Sequence, residues 1–411
     1  MSTTKAFSIT KQEVYEAYLQ VRANRGSAGV DEVTIEKYEE NLKDNLYKLW
    51  NRMSSGSYFP KPVKGVDIPK GKNKTRPLGI PTVNDRIAQA VVKNRLEPRL
   101  EEYFHENSYG YRPNKTAGEA VKVAKERCKN NDWVVDLDIK GYFNNIDHEL
   151  LMKAVAKHVQ EKWIKLYIKR WLETPVAKHG ERIASTKGTP QGAVISPLLA
   201  NLFLHYTFDI WMRRKCPTIP FERFADDIVC HCKTQRQAKW LMNILNKRFN
   251  NCGLTLHPIK SKIVYCKDGR RTGDYENTQF DFLGFTFKRR TSRSQRGQIF
   301  ISFTPAVSKK ASRKFLKEIK KKAVFKITHV DLQIIAKIVN PMIRGWVNYF
   351  EQFRRSEMNR MFRVINNMIV RWLRRKYKKL TYTKEKTYKL YRDIAKSRPT
   401  IFYHWKYYVY T

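Results

Sequence analysis

Arg223-Phe224-Ala225-Asp226-Asp227-Ile228-Val229-Cys230 sets two adjacent acids in the middle of an otherwise apolar stretch. Asp favours turns, and Phe221 to Cys232 reads as two short strands around a tight turn. Turn chemistry is therefore one account of the pair. A second acidic strand makes it incomplete: Trp133 to Ile139 alternates, with Val135, Leu137 and Ile139 on one face and Val134, Asp136 and Asp138 on the other. Carboxylates gathered at strand ends of one sheet repel unless a cation joins them. Mg²⁺ takes few protein oxygens and leaves positions for phosphates. Two such ions about 4 Å apart can activate an attacking hydroxyl and stabilise a departing pyrophosphate.

The rest of the chain reads outward from these strands. Thr10 with Glu13 forms a capping box before a helix ending near Gly26, and Thr34 can cap a second helix that stops at Ser54-Ser55-Gly56. Val63 to Pro69 is a short strand, followed by a basic loop and helices around 84–104 and 115–129. Ser196-Pro197 opens a helix through Met212, and Thr234 with Gln237 caps another. Strands are expected at 263–266, 281–287 and 298–303, and only helices from Ser308 onward. This is an α+β order. It lacks the single-strand, single-helix alternation of a doubly wound sheet and has no Gly-rich nucleotide loop after a strand.

Charge narrows the partner. Of 411 residues, 81 are Lys or Arg and 38 Asp or Glu, a net +43, with 42% hydrophobic and 13% aromatic residues. That composition supports a folded core. A surplus so large self-repels without a polyanion, so nucleic acid is the leading partner and an anionic membrane surface the rival. From Lys288 to Thr411 there are 33 basic and 6 acidic residues, interleaved with aromatics, as in a folded RNA- or DNA-binding surface. No apolar run is long enough for a transmembrane helix, and the N-terminus has no apolar signal core. Six irregularly spaced cysteines suit a reducing cytoplasm.

Seven motifs, in order, resemble the reverse transcriptases encoded by bacterial group II introns, and the match runs nearly end to end. They are Arg76-Pro77-Leu78-Gly79-Ile80-Pro81, Ser108-Tyr109-Gly110-Tyr111-Arg112-Pro113, Asp138-Ile139-Lys140-Gly141-Tyr142-Phe143, and Thr189-Pro190-Gln191-Gly192 with Ile195-Ser196-Pro197-Leu198-Leu199-Ala200-Asn201. Phe224-Ala225-Asp226-Asp227, Phe282-Leu283-Gly284-Phe285 and Ile343-Arg344-Gly345-Trp346-Val347-Asn348-Tyr349-Phe350 complete the set. Phe224 stands where the family usually has Tyr, and Ala193 where Gly is commoner. The resemblance implies a right-hand polymerase with a ferredoxin-like palm, helical fingers and a helical-bundle thumb. Fingers and palm would occupy 1–305, the thumb or maturase domain 306–380, and a small basic region 381–411.

The same resemblance assigns the site. Asp138 and Asp226 would be the principal ligands of two Mg²⁺ ions, Asp227 would complete the acidic cluster, and the Ile139 carbonyl would reach a metal. Asp136 is expected to be structural or to support the metal ligands without binding metal itself, and Asp147 to cap the helix starting at His148. Lys70 and Arg76 flank a basic loop suited to triphosphate, since a guanidinium grips phosphate with two donors. Gln191-Gly192 would let backbone approach the incoming nucleotide, and Lys262 would stand near the departing pyrophosphate. Phe143 is either the ring beneath the sugar that excludes a 2′-hydroxyl or an ordinary core aromatic. Arg371, Arg374, Arg375, Lys376, Lys378 and Lys379 are candidate RNA contacts, with a merely solvated face as the other reading.

Cys230, His231 and Cys232 do not make a zinc site on this pattern: a strand sends His231 to the opposite face, and no second Cys-x-x-Cys pair exists. With no such ligand spacing before Thr411, no DNA endonuclease activity is expected. The implied activity is RNA-directed DNA synthesis on an RNA template from a DNA primer and deoxynucleoside triphosphates, with intron RNA as a splicing partner and no membrane. Two alternatives stand beside it: an RNA-binding splicing cofactor, and a domesticated polymerase in DNA repair or phage defence.

Overall fold

The computed structural model describes residues 6–69, 75–294, 296–380 and 383–409. The chain divides into two compact units. The first comprises 1–116 and 135–262, the second 117–134 and 263–411. No helix among the described residues is long and apolar enough to cross a membrane.

Among the described residues the first unit holds seven strands: β1 (Val63–Pro69), β2 (Thr75–Ile80), β3 (Trp133–Asp138, entering from the second unit at Val135), β4 (Val176–Lys178), β5 (Glu181–Ile183), β6 (Phe221–Phe224) and β7 (Asp227–Cys232). One sheet has the order β2-β1-β4-β5. In another, β7 lies between β6 and β3, so the strand carrying Asp227 neighbours the strand ending at Asp138. The capping box at Thr10 is present, with the Glu13 amide donating to Thr10 Oγ1 and Glu13 Oε2 accepting from the Thr10 amide. The first half of the helix Val83–Glu101, through Val92, is buried nearly all round, including Asp85, Arg86 and Gln89. Such polar groups need partners in a dry site; Asp85 accepts from Thr82 Oγ1 at 2.6 Å and Tyr58 OH at 2.5 Å. Its carboxyl is nevertheless raised, because burial outweighs those bonds.

Several expectations needed adjustment. The second N-terminal helix is two, Ile35–Glu39 and Leu42–Ser55. Ser196 is the first residue inside its helix rather than its cap, and Ile195 precedes it without a side-chain capping bond. That helix does not run evenly to Met212 either: it widens into a π turn over His205–Asp209 before continuing as Ile210–Lys215. The β4–β5 hairpin, three residues a side, is too short to announce itself by periodicity.

The second unit contains β8 (Lys262–Tyr265, its first residue in the first unit), β9 (Gln279–Phe282), β10 (Phe285–Arg293) and β11 (Ile299–Val307). The order β11-β10-β9 forms one antiparallel sheet. The expected single strand 281–287 is therefore a turn between two strands, made at Leu283 and Gly284, both at positive φ. Phe280, Phe285, Phe287 and Phe303 fill the sheet's buried side. From Lys309 onward the described residues are helical segments and short connections. Trp372 Nε1 donates to the Ile327 carbonyl at 2.7 Å, and buried His404 meets Asn366 Oδ1 at 2.6 Å through Nε2.

Candidate active site

Asp226 and Asp227 occupy the β6–β7 turn. Phe224 pairs with Asp227 across the hairpin, and Ala225 takes φ +55, a left-handed conformation that costs a residue with a Cβ. Something must hold it there. The segment after Asn107 lies against β6: the Tyr109 amide donates to the Arg223 carbonyl at 2.8 Å and the Arg223 amide to the Asn107 carbonyl at 2.9 Å. Gly110 then passes so near the turn that a Cβ would sit 2.4 Å from the Ala225 nitrogen. Only glycine fits. Asp226 is half-buried, Asp227 exposed and Phe224 half-buried.

Asp138 closes β3 and is anchored through its backbone. Its carbonyl accepts from the His257 amide at 2.7 Å, its amide donates to Ser261 Oγ at 3.1 Å, and the Lys140 amide donates to the Thr255 carbonyl at 2.9 Å. Its carboxylate stays half-exposed and is held by Lys260, whose Nζ lies 3.1 and 2.8 Å from Oδ1 and Oδ2. The lysine touching the acid is thus Lys260, two residues before Lys262, which is half-buried at the start of β8. Ile139 is buried, with its backbone bridged to Leu256. Asp136 is half-buried two positions back along β3. Asp147 caps as expected, accepting from the Leu150 amide at 2.8 Å.

Tyr111 reports on how these groups converge. Burial raises its hydroxyl, Asp226 raises it further, Arg76 opposes and Asp227 adds a smaller push. One phenol therefore senses both acids of the turn and the candidate phosphate-binding guanidinium. Arg76 is exposed on β2, and its Nε donates to Gln191 Oε1. Gln191 Nε2 in turn donates to Asn144 Oδ1 at 3.2 Å, and the Gln191 carbonyl accepts from Gly79 at 2.7 Å. Gly192 has φ +116, and a Cβ on it would stand 2.5 Å from the Gly79 carbonyl. Phe143 is buried, edge-on to Tyr142 at 5.5 Å, and its carbonyl accepts from the Thr189 amide at 2.7 Å. The Asp138, Gln191 and Arg76 motifs are therefore joined by direct bonds. Lys70 lies outside the described residues.

All the candidate donors for a cation are hard oxygens, which fits Mg²⁺. Among the described residues, no three His, Cys, Asp or Glu side chains form a ready-made ligand group; an ion here would complete its shell with water and substrate phosphate. Cys230 and Cys232 are both buried, and burial pushes their thiols up, Cys232 to about 12. His231, expected on the face opposite the two cysteines, is buried and bonded to Glu222 Oε2 at 2.6 Å.

In the second unit, the basic run divides by environment. Arg371, Arg374 and Arg375 line a groove of about 720 Å³ with Lys320 and Lys326. Arg375 also donates to the Phe325 carbonyl, and Lys376 Nζ to the Val330 carbonyl at 2.7 Å, so both tie their helix to the segment before it. Lys378 and Lys379 are exposed. Sequence reasoning missed Lys260, Tyr111, Asn144 and the partners of Arg223. Tyr111, Asn201 and Ala225 stood inside quoted motifs, whereas the roles of Lys260, Asn144 and Asp209 become visible only through contacts across more than 10 residues of chain.

Residues 68–287 match the family described as reverse transcriptase (RNA-dependent DNA polymerase), and 312–391 match the group II intron maturase-specific domain. The chain is 30% identical over 302 residues to protein YkfC of Escherichia coli, covering 64% of this chain and 77% of that one. It is 34% identical over 194 residues to the group II intron-encoded protein LtrA of Lactococcus lactis, covering 46% of this chain and 32% of that one. A putative COX1/OXI3 intron 1 protein of Saccharomyces cerevisiae is 27% identical over 197 residues, 48% of this chain and 23% of its own. The matches thus span about a third or less of the last two. By its polymerase match and the maturase-specific domain that follows, this chain belongs to the reverse transcriptase family, in the branch encoded by group II introns.

Proposed function

We propose that the chain copies RNA into DNA at the Asp138–Asp226–Asp227 site and binds intron RNA through its second unit to assist splicing. The observation that carries the first part is the turn itself, two acids presented beside the strand end of a third, in the same field as Arg76. Asp138, Asp226 and the Ile139 carbonyl would hold two Mg²⁺ ions, with Asp227 completing the charge. Bound there, the ions would supply the positive charge that favours a deprotonated primer 3′-hydroxyl and a departing pyrophosphate. The chain's own residues position. Arg76, fixed by Gln191, would face the triphosphate, the same role is assigned to Lys70 from the sequence, and Gly192 would admit the nucleotide to the backbone. Lys260 holds the Asp138 carboxylate, and Lys262 stands near the leaving group. Phe143 lies under the sugar. Such a reaction runs mainly on alignment and preorganised charge.

Fingers and palm are assigned to 1–305, the thumb and maturase domain to 306–380, and a basic region to 381–411. The first boundary falls near the end of β11, three residues before Ser308 caps the next helix, and that change from strand to helix supports it. Arg371, Arg374, Arg375, Lys376, Lys378 and Lys379 are assigned to RNA, supported by the groove that three of them line. Six buried cysteines, none in a disulfide, suit work on nucleic acid in a reducing cytoplasm. Primer extension on an RNA template with Mg²⁺, run beside a splicing assay on the flanking RNA, tests both roles. Polymerisation without splicing would restrict the proposal to the first, and splicing alone to the second.

A further inference from the structure

Arg223 is two residues before Ala225, the left-handed residue that precedes Asp226, and is fully buried, as is Asp209. Its Nε and Nη2 donate to Asp209 Oδ1 and Oδ2 at 2.8 and 2.6 Å, a two-pronged pair. Its Nη1 donates to Asn201 Oδ1 at 3.0 Å and to the Ala225 carbonyl at 3.3 Å. Asn201 extends the chain of contacts, donating from Nδ2 to the Gly110 carbonyl at 2.6 Å. Gly110 is the residue pressed against Ala225 from the other side. One guanidinium thus grips the turn directly and, through Asn201, braces the segment packed over it.

Asp209 sits at the end of the π turn His205–Asp209. A widened turn inside a helix is uncommon and recurs at functional sites; here it coincides with the acid that meets Arg223. Burial alone would raise the Asp209 carboxyl, but Arg223 and His205 hold it below its usual value, so the pair is ionic. A buried ion pair gives little net stability over apolar residues of the same volume. What it does give is direction, because a planar fork on a carboxylate fixes both partners.

We infer that the Arg223–Asp209 pair, with Asn201, is the positioning clamp of the acidic turn: it fixes Ala225 and thereby the direction in which Asp226 is presented, without touching substrate. The inference rests on the proposed reading of Asp226 as a metal ligand. Removing partners of that kind typically weakens metal binding or activity by about 10- to 100-fold.

The test is Mn²⁺ binding to the full chain, followed by electron paramagnetic resonance, beside the Mg²⁺ dependence of primer extension. The paired swap Arg223→Met with Asp209→Leu exchanges the ions for apolar residues of similar size. It is expected to melt near the parent and bind RNA equally, while Mn²⁺ affinity falls about 10-fold or more. Asn201→Ala keeps the ion pair and is expected to show a smaller loss in the same direction; it carries the test if the swap does not fold. Asp226→Asn in the same titration separates the two failures. If Asp226→Asn leaves Mn²⁺ binding unchanged, the ligand reading falls and the clamp with it. If Asp226→Asn abolishes binding while a folded clamp variant binds as the parent does, the clamp alone is overturned.

Discussion

Replacing Asp226 or Asp138 by Asn keeps side-chain volume and removes the negative charge. Each variant is expected to fold and bind RNA as the parent does, yet lose primer extension, since a cation's charge is then uncompensated. Extension near the parental rate by either purified variant would remove it from the ligand set. Phe143 poses a finer question, because the ring is both buried and placed one residue before Asn144, which bonds Gln191. As a sugar gate, Phe143→Val stays folded and accepts ribonucleotides much more readily. As a core aromatic, truncation costs about 3–5 kcal/mol and lowers activity with both sugars alike. Thermal melting beside single-nucleotide incorporation separates the two. At this scale the sequence was most informative where a residue type is out of place: acids in an apolar hairpin are legible without coordinates. Lys260 was not, because nothing in Lys260-Ser261-Lys262 says which ammonium turns toward Asp138.

At the scale of elements, side-chain caps were readable because a cap and its partner lie three residues apart. Thr10 with Glu13, Thr34, Asp147 and Thr234 all form the expected bonds. The π turn over His205–Asp209 was not readable: it leaves no periodic trace, and the partner of its last residue, Arg223, lies 14 residues away. The packing of the C-terminal segment on the helix Asn359–Lys376 is likewise tertiary, and it carries a pH dependence. His404 is buried against Asn366, and burial lowers its imidazole to about 3 from 6.5. Above the unfolded value both states are neutral and its contribution is full. As pH falls below about 6.5 the unfolded chain takes a proton that the folded chain refuses, so stability is lost progressively toward pH 3. The second unit's melting temperature should therefore drop on acidification, and His404→Gln should flatten that drop. An acid profile identical to the parent's would place the titration elsewhere.

For the whole molecule the decisive quantity is +43, of which +27 falls after Phe287. Charge of that size was legible from composition, as was the class of partner; which cations reach the partner was not, because helices bury some and expose others. The run from Arg371 to Lys379 shows why. Arg375 and Lys376 spend donors on the carbonyls of Phe325 and Val330, so changing them alters packing as well as charge. Arg371, Lys378 and Lys379 are exposed, and they make the cleaner test. Each phosphate neutralised on a single strand contributes a slope of roughly −0.7 in log affinity against log salt. Changing these three to Ala together should reduce the slope's magnitude by up to about 2 and weaken binding most at low salt. The melting temperature should hardly move, since exposed positions outside the core contribute little to stability. Fluorescence anisotropy with a labelled RNA over a salt series measures the effect. An unchanged slope would make this run a solvated face and shift the RNA contact to the other cations of the second unit, beginning with Lys320 and Lys326 in the groove.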